Sequence, residues 1–256
     1  MNSKPGSHNM KGKQMKTSKK IIVFTGAVPF IIVLIMIFSL RNIMSEETDP
    51  ALVNLKETNV EQRNDEKRSF EFNDFENIST EGVWEINLIH GDDFNIELMA
   101  PESMMDKITI EKTGRTLKLI SKIKSYSVFS INKNPRVIIS LPVISGMNID
   151  GVATVKYEEF KHIKTSIEMD GILSVSGKNS TIDQFFLKGD GVLNVAMNDV
   201  PVTSAQLNHD GVYMIKMLMN GGELKGKLDG IGMMIATGDI SENSIKVDGL
   251  GSLTVE

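Results

Sequence analysis

Six Asp-Gly pairs follow one another down the second half of this 256-residue chain at a nearly constant step. They are Asp150-Gly151, Asp170-Gly171, Asp190-Gly191, Asp210-Gly211, Asp229-Gly230 and Asp248-Gly249, separated by 20, 20, 20, 19 and 19 residues. A fixed period of this size marks a repeat architecture, in which each unit stacks only on its neighbours. It constrains the fold far more than the activity, because no motif within it names a reaction.

Taking each Asp as position 0, position +2 is always aliphatic: Val152, Ile172, Val192, Val212, Ile231 and Leu250. Position +5 is always apolar: Val155, Val175, Val195, Ile215, Met234 and Leu253. Position −3 is apolar at Met147, Ile167, Leu187, Leu207 and Ile245, and Gly226 breaks the row. Runs such as Leu193-x-Val195-x-Met197 alternate with period 2, the pattern of a β-strand with one buried face. Asp-Gly between strands also marks a tight hairpin. A meander, however, does not need equivalent residues to return at a fixed interval, and a parallel solenoid does. The predicted fold is therefore all-β, a parallel β-solenoid of ~20-residue coils, each with two or three short strands. Stacking is expected to set the +2 residues in one inner row about 4.8 Å apart.

On this reading Asp-Gly is the structural corner of each coil. Glycine permits a left-handed backbone there, and the Asp side chain can accept hydrogen bonds from nearby N–H groups. Six stacked carboxylates would repel by roughly 1 kcal/mol or more each near water. Donors from each turn are expected to neutralise them, with a calcium ladder as the alternative. The spacing lacks the dense Gly and Asp pattern of calcium-binding solenoids, so the expectation is no cofactor and no metal.

The start of the chain is different. Ile21 to Leu40 is a 20-residue run without a charge, long enough as a helix to span about 30 Å of hydrocarbon. Lys4, Lys11, Lys13, Lys16, Lys19 and Lys20 precede it, and Glu46, Glu47 and Asp49 follow Arg41. The positive-inside bias places the N-terminus in the cytoplasm and the rest outside. A cleavable signal peptide is the competing reading, but the run is long for one and no A-x-A-like site follows. The chain divides into a basic segment 1–20, a membrane helix 21–40, a polar tether 41–69 and an extracytoplasmic domain 70–256. Within that domain, 70–146 reads as an irregular first part or cap, and 147–256 as the repeats. The expected location is a bacterial cytoplasmic membrane, with the domain in the periplasm or outside the cell.

Ahead of the repeats come Phe75-Glu76-Asn77-Ile78 and then Gly82-Val83-Trp84-Glu85-Ile86-Asn87-Leu88-Ile89-His90-Gly91-Asp92. A strand at Leu117-Lys118-Leu119 and another at Val137-Ile138-Ile139-Ser140-Leu141-Pro142 follow, with a turn signal at Lys112-Thr113-Gly114-Arg115. In this order the segments resemble the head GIN domain family of "putative autotransporter adhesins" over residues 70–256. The resemblance implies a β-solenoid-like fold outside the cytoplasmic membrane and no defined catalytic residues. Members of that family close with a further Gly- and Tyr-containing strand, whereas here the residues end at Glu256. The last coil is accordingly expected to expose a strand edge, through which the chain would assemble with itself.

The remaining residues offer little chemistry. The chain has no Cys, which excludes disulfides and thiolate sites, and its net charge of −5 argues against a nucleic-acid surface. None of His8, His90, His162 and His209 lies at metal-ligand spacing from another. His209 beside Asp210 reads as a titrating surface group, and His90 as an exposed turn residue. Thr154, Ser174, Asn194 and Met214 at position +4 are expected to face outward and suit binding better than acid–base work. Met214 and Met233 then form a candidate partner surface of the adaptable Met type, while core packing is the alternative. Met217, Met219 and Met234 lie in the same stretch. The expected function is a non-catalytic, membrane-anchored binding or adhesion module whose partners are the bilayer and an envelope protein or glycan. The alternatives are an envelope component assembling through its open end, and a polysaccharide-active enzyme.

Overall fold

The computed structural model describes residues 65–123 and 134–256. The segments 1–20 and 21–40, and most of the 41–69 tether, lie outside the described residues. Among the described residues no helix is long and apolar enough to cross a membrane.

The elements are β1 (Asp65–Phe70), β2 (Asn77–His90), β3 (Asn95–Pro101), the single-turn α1 (Glu102–Met105), β4 (Ile108–Thr113), β5 (Thr116–Ser121), β6 (Arg136–Leu141), β7 (Gly146–Glu158), β8 (Ile163–Lys178), β9 (Ile182–Asn220), β10 (Glu223–Asp239) and β11 (Glu242–Val255). They form one sheet in the order β1-β3-β6-β2-β7-β8-β9-β10-β11, and β4 joins it through β5 to β2. From β2 onward all neighbours on this path are parallel. Strand β9 is long because it holds two successive coils. This is the parallel β-solenoid that the period requires.

The coils stack in strict register at the repeated pair. Asp150 pairs with Asp170, Asp170 with Asp190, Asp210 with Asp229 and Asp229 with Asp248. Each pair lies inside a continuous strand rather than between two short strands, so the arms are longer than the period alone implies. The chain bends there because the glycines have φ between +93° and +139°, a region that side chains with a Cβ rarely enter. A second bend follows each of the first two repeats, at Glu159 (φ 67°) and Asn179 (φ 51°). There Ser180 Oγ donates to Lys178 O at 2.9 Å and accepts from Phe160 N at 3.2 Å. Thr181 Oγ1 accepts from His162 N at 2.9 Å.

The irregular first part contains a further coil. Strand β2 pairs with β7 so that Glu81 lies on Asp150 and Gly82 on Gly151. On the other edge of β2, β5 pairs with Asn77–Glu81 and β6 with Glu85–His90. Two antiparallel extensions close this end, β5–β4 on one side and β6–β3–β1 on the other. The outermost strand, β1, is short and reads DEKRSF with mostly exposed side chains. Such charged, short edges resist pairing with other chains.

The interior is filled by positions −3, −1, +3, +5 and +7. Met147, Ile167, Leu187 and Leu207 form one buried row, and Val155, Val175, Val195, Ile215 and Met234 another. Fully burying each such aliphatic side chain contributes about 1.5–3 kcal/mol. The +2 row, expected inside from the sequence, faces outward instead. Val152, Ile172, Val192, Val212 and Ile231 are half-buried and Leu250 is exposed. The alternation of the strand passes unbroken through the glycine, so position +2 shares the outer face with the Asp.

The glycine column sets how closely the coils approach. A Cβ on Gly171, Gly191 or Gly211 would run into the carbonyl oxygen of the glycine one coil below. Gly191→Ala is therefore expected to destabilise the domain by on the order of 3 kcal/mol or more, from backbone displacement and strained φ together. Gly114→Ala, at a hairpin turn with nothing within 4 Å of the new Cβ, should cost only about 1 kcal/mol. Urea unfolding of the two variants gives the comparison, and equal losses would show that the column does not set coil spacing.

Candidate binding faces

Three features of the solenoid surface bear on function: the carboxylate ladder, the outward face of the arm that follows each bend, and a shallow groove on the arm before it.

The ladder runs from Asp150 to Asp248, with Glu81 beneath it. Lys227 lies between the last two carboxylates, 3.0 Å from Asp229 and 3.0 Å from Asp248. Those two hydrogen bonds, Asp248's first, raise the Lys227 pKa. Donors from each turn, expected from the sequence to neutralise the carboxylates, are not what the structure shows. Among the described residues no backbone N–H donates to any of the six, because the bend turns each Asp side chain out to solvent. At the end of the column one lysine, Lys227, stands against two of the carboxylates instead. Among the described residues no group of three or more acidic or histidine side chains is placed to hold a metal ion.

The arm after the bend presents positions +2 and +4 outward. In the earlier coils +4 is polar: Thr154, Ser174 and Asn194, with Asn194 Nδ2 donating to Ser174 Oγ at 3.0 Å. In the next two coils it becomes Met214 and Met233, which lie directly beside each other in the β9–β10 register. Met233 is 45% exposed and Met214 half-buried. Met217, Met219 and Met234 fill the core. Val212 and Ile231 lie beside the two outer methionines, so the outer surface is most apolar at the fourth and fifth coils, and +4 is polar again at Ser252 in the sixth.

On the preceding arm, Gln184, Phe186, Ser204, Gln206, Glu223 and Lys225 line an open groove of about 270 Å³ across three coils. Lys225 and Glu223 pair at 2.9 Å. Phe186 at its edge is 39% exposed.

His209, expected as a titrating surface group, is only 3% exposed. It occupies position −1, an inward position equivalent to Gly189 one coil earlier, where Met169 fills the space that a side chain on Gly189 would take. Its ring meets Tyr213 edge-on at 6.3 Å. Tyr213 in turn reaches across the next two coils, where Gly232 and Gly251 leave room: a Cβ on either would strike the Tyr213 ring or hydroxyl. Neither ring nitrogen of His209 and no hydroxyl partner of Tyr213 makes a hydrogen bond of good geometry. Burial lowers the His209 pKa from the ordinary 6.5, against smaller opposing effects of nearby backbone at Val212, Gly191 and Gly189 and of Asp190. Burial likewise raises the Tyr213 pKa, with Asp229 adding to it. His90 is exposed and lies at 3.2 Å from Pro142 O. His162 pairs with Asp183 at 3.0 Å. The described histidines do not converge on one site.

Because folding depresses the His209 pKa, the unfolded chain binds a proton below about pH 6.5 that the folded chain refuses. Stability is then lost as pH falls through that value. Thermal melts at pH 7.5 and pH 5 should show a smaller drop for His209→Leu than for the parent chain. An equal drop would show that other groups carry the acid sensitivity.

The family model described as "Putative auto-transporter adhesin, head GIN domain" matches residues 74–256. Among solved structures, a "putative adhesin" from Bacteroides fragilis is 16% identical, with 76% of this chain and 98% of that chain covered and a TM-score of 0.55. A "putative adhesin" from Parabacteroides merdae is 14% identical over 76% of this chain and 97% of that one, with a TM-score of 0.41. A "putative cell adhesion protein" from Clostridium sporogenes is 16% identical over 75% and 97%, with a TM-score of 0.35. The Bacteroides likeness is one of fold. No curated protein matches this chain.

Proposed function

Because the chain belongs to the head GIN domain family, we propose that it is a membrane-anchored, non-catalytic binding module that displays a rigid solenoid outside the cytoplasmic membrane. The anchor in this reading is Ile21–Leu40, whose length and flanking charges suit a single span with the N-terminus inside. The solenoid supplies rigidity, since each coil is hydrogen-bonded to the next along both arms. The observation that carries the binding role is the outer face of the fourth and fifth coils, where Met214 and Met233 replace the polar residues of the earlier ones beside half-buried Val212 and Ile231. Exposed apolar surface of this kind is characteristic of contact sites. Two thioether side chains suit a protein surface, because they repack at little cost. The groove holds a single acid, Glu223, paired with Lys225, where a polysaccharide-cleaving site would need two carboxylates.

Flotation of the full chain with lipid vesicles tests the anchor: the chain should rise with the lipid, and a chain lacking residues 21–40 should stay below. Met214→Ser with Met233→Ser tests the face. Capture of an envelope protein by the full chain should weaken by at least about tenfold, with the melting temperature unchanged. Unaltered capture would remove this face from the reading, and an unfolded double variant would assign both methionines to packing.

A further inference from the structure

The two ends of the solenoid are built differently. The first is closed by β4 and by β3 and β1. At the other, β11 pairs with β10 along Glu242–Val255, and among the described residues no strand lies on its far side. Ile245, Val247 and Leu253 occupy inward positions, yet they are only partly buried there, and Leu250 is 78% exposed.

The orientation of this edge can be read from its last residue. Glu256 donates its N–H to Ala236 O, and its own carbonyl accepts from Gly238 N. Along a strand the direction of these groups alternates, so the odd-numbered residues turn theirs toward the open side. Val247, Gly249, Gly251, Leu253 and Val255 thus offer both open hydrogen-bonding groups and inward positions, and Ile245 adds its inward side chain and carbonyl while its N–H donates to Asn243 Oδ1 at 3.2 Å. An incoming strand fits only if its own inward residues lie opposite them.

We propose that the occupant is a second copy of this chain, docked β11 to β11 as an antiparallel pair about a twofold axis through Leu250. In that register Ile245 faces Val255, Val247 faces Leu253, Gly249 faces Gly251 and Leu250 faces itself. Each apolar inward residue meets an apolar one, and the two arms on either side of the bend exchange places. Lys246 lies diagonally across from Glu256 of the second copy, and no like charges stand opposite each other. A slip of two residues either way sets a glycine against Val247 or Leu253. Pairing converts two open cores into one continuous core and satisfies both edges, as solenoid caps do.

The described chain begins at β1, on the closed end. Head-to-head pairing therefore sends the two chain starts in opposite directions. This pairing uses the β11 edge, separate from the face of Met233 one coil earlier, and adds self-association to the binding role proposed above.

The chain has no Cys, so Leu250→Cys introduces a single thiol. A residue on the axis at a non-hydrogen-bonded position has its Cα about 4.5 Å from its mate, within disulfide range. The oxidised full chain in detergent should run as a covalent dimer, while Met233→Cys, exposed one coil earlier, should stay monomeric. Equal crosslinking of the two variants overturns the register. Leu250→Asp sets two carboxylates face to face and should abolish the dimer in sedimentation with the melting temperature unchanged; a persisting dimer overturns the pairing. A chain that fails to float with vesicles overturns the anchor and leaves the sedimentation result to decide the pairing.

Discussion

The close approach of backbones at the glycine column is the constraint on which the rest of the molecule depends. From Gly82 through Gly249, each bend glycine lies so near the carbonyl below it that a Cβ has no place. That contact sets the coil spacing and the register. Once register is set, every inward side chain meets its equivalent in the next coil, and the core becomes a set of continuous rows. The same column turns the Asp side chains out to water, so their mutual repulsion acts in a high dielectric and is moderated further by Lys227 at the last two coils.

The departures from the repeat are as informative as the repeat. Tyr213 replaces a smaller residue at +3 and is accommodated by Gly232 and Gly251 in the coils above it. His209 at −1 sits over Gly189 and carries two nitrogens without partners into the core. Both irregularities fall in the second coil of β9, where the outer face also changes from polar to methionine at Met214 and, one coil on, Met233. The solenoid is most regular near its closed end and most individual near its open one. A stacked scaffold leaves only its faces and ends open to contact.

Much of this was legible in the sequence. The period of the Asp-Gly pairs led to parallel coils, and the hairpin around Gly114 and the strand at Val137–Leu141 stand where the residue patterns place them. The first part, read from the sequence as irregular first coils or a cap, holds the coil of β2, which lacks the Asp-Gly mark because Glu81 stands in place of Asp and a long insertion separates Gly82 from Gly151. Its signal was present in Ile78, Val83 and Ile86 at positions −3, +2 and +5. The side of the +2 row was misjudged because an invariant aliphatic residue looks buried, whereas on a stacked sheet an outward β-branched residue is half-covered by its neighbours above and below.

The sequence by itself determined that the chain repeats, that the repeats stack in parallel, and that a glycine must stand at each bend, since only a fixed return can produce a fixed period. Tertiary structure alone decided which parity of each strand faces in, what stands against each carboxylate, that His209 is buried, and that among the described residues one end of the stack is covered by antiparallel strands while β11 has none on its far side. Those properties depend on which residue lies one coil away. That neighbour is about 4.8 Å distant in space and about twenty residues or more along the chain, beyond the reach of any local pattern.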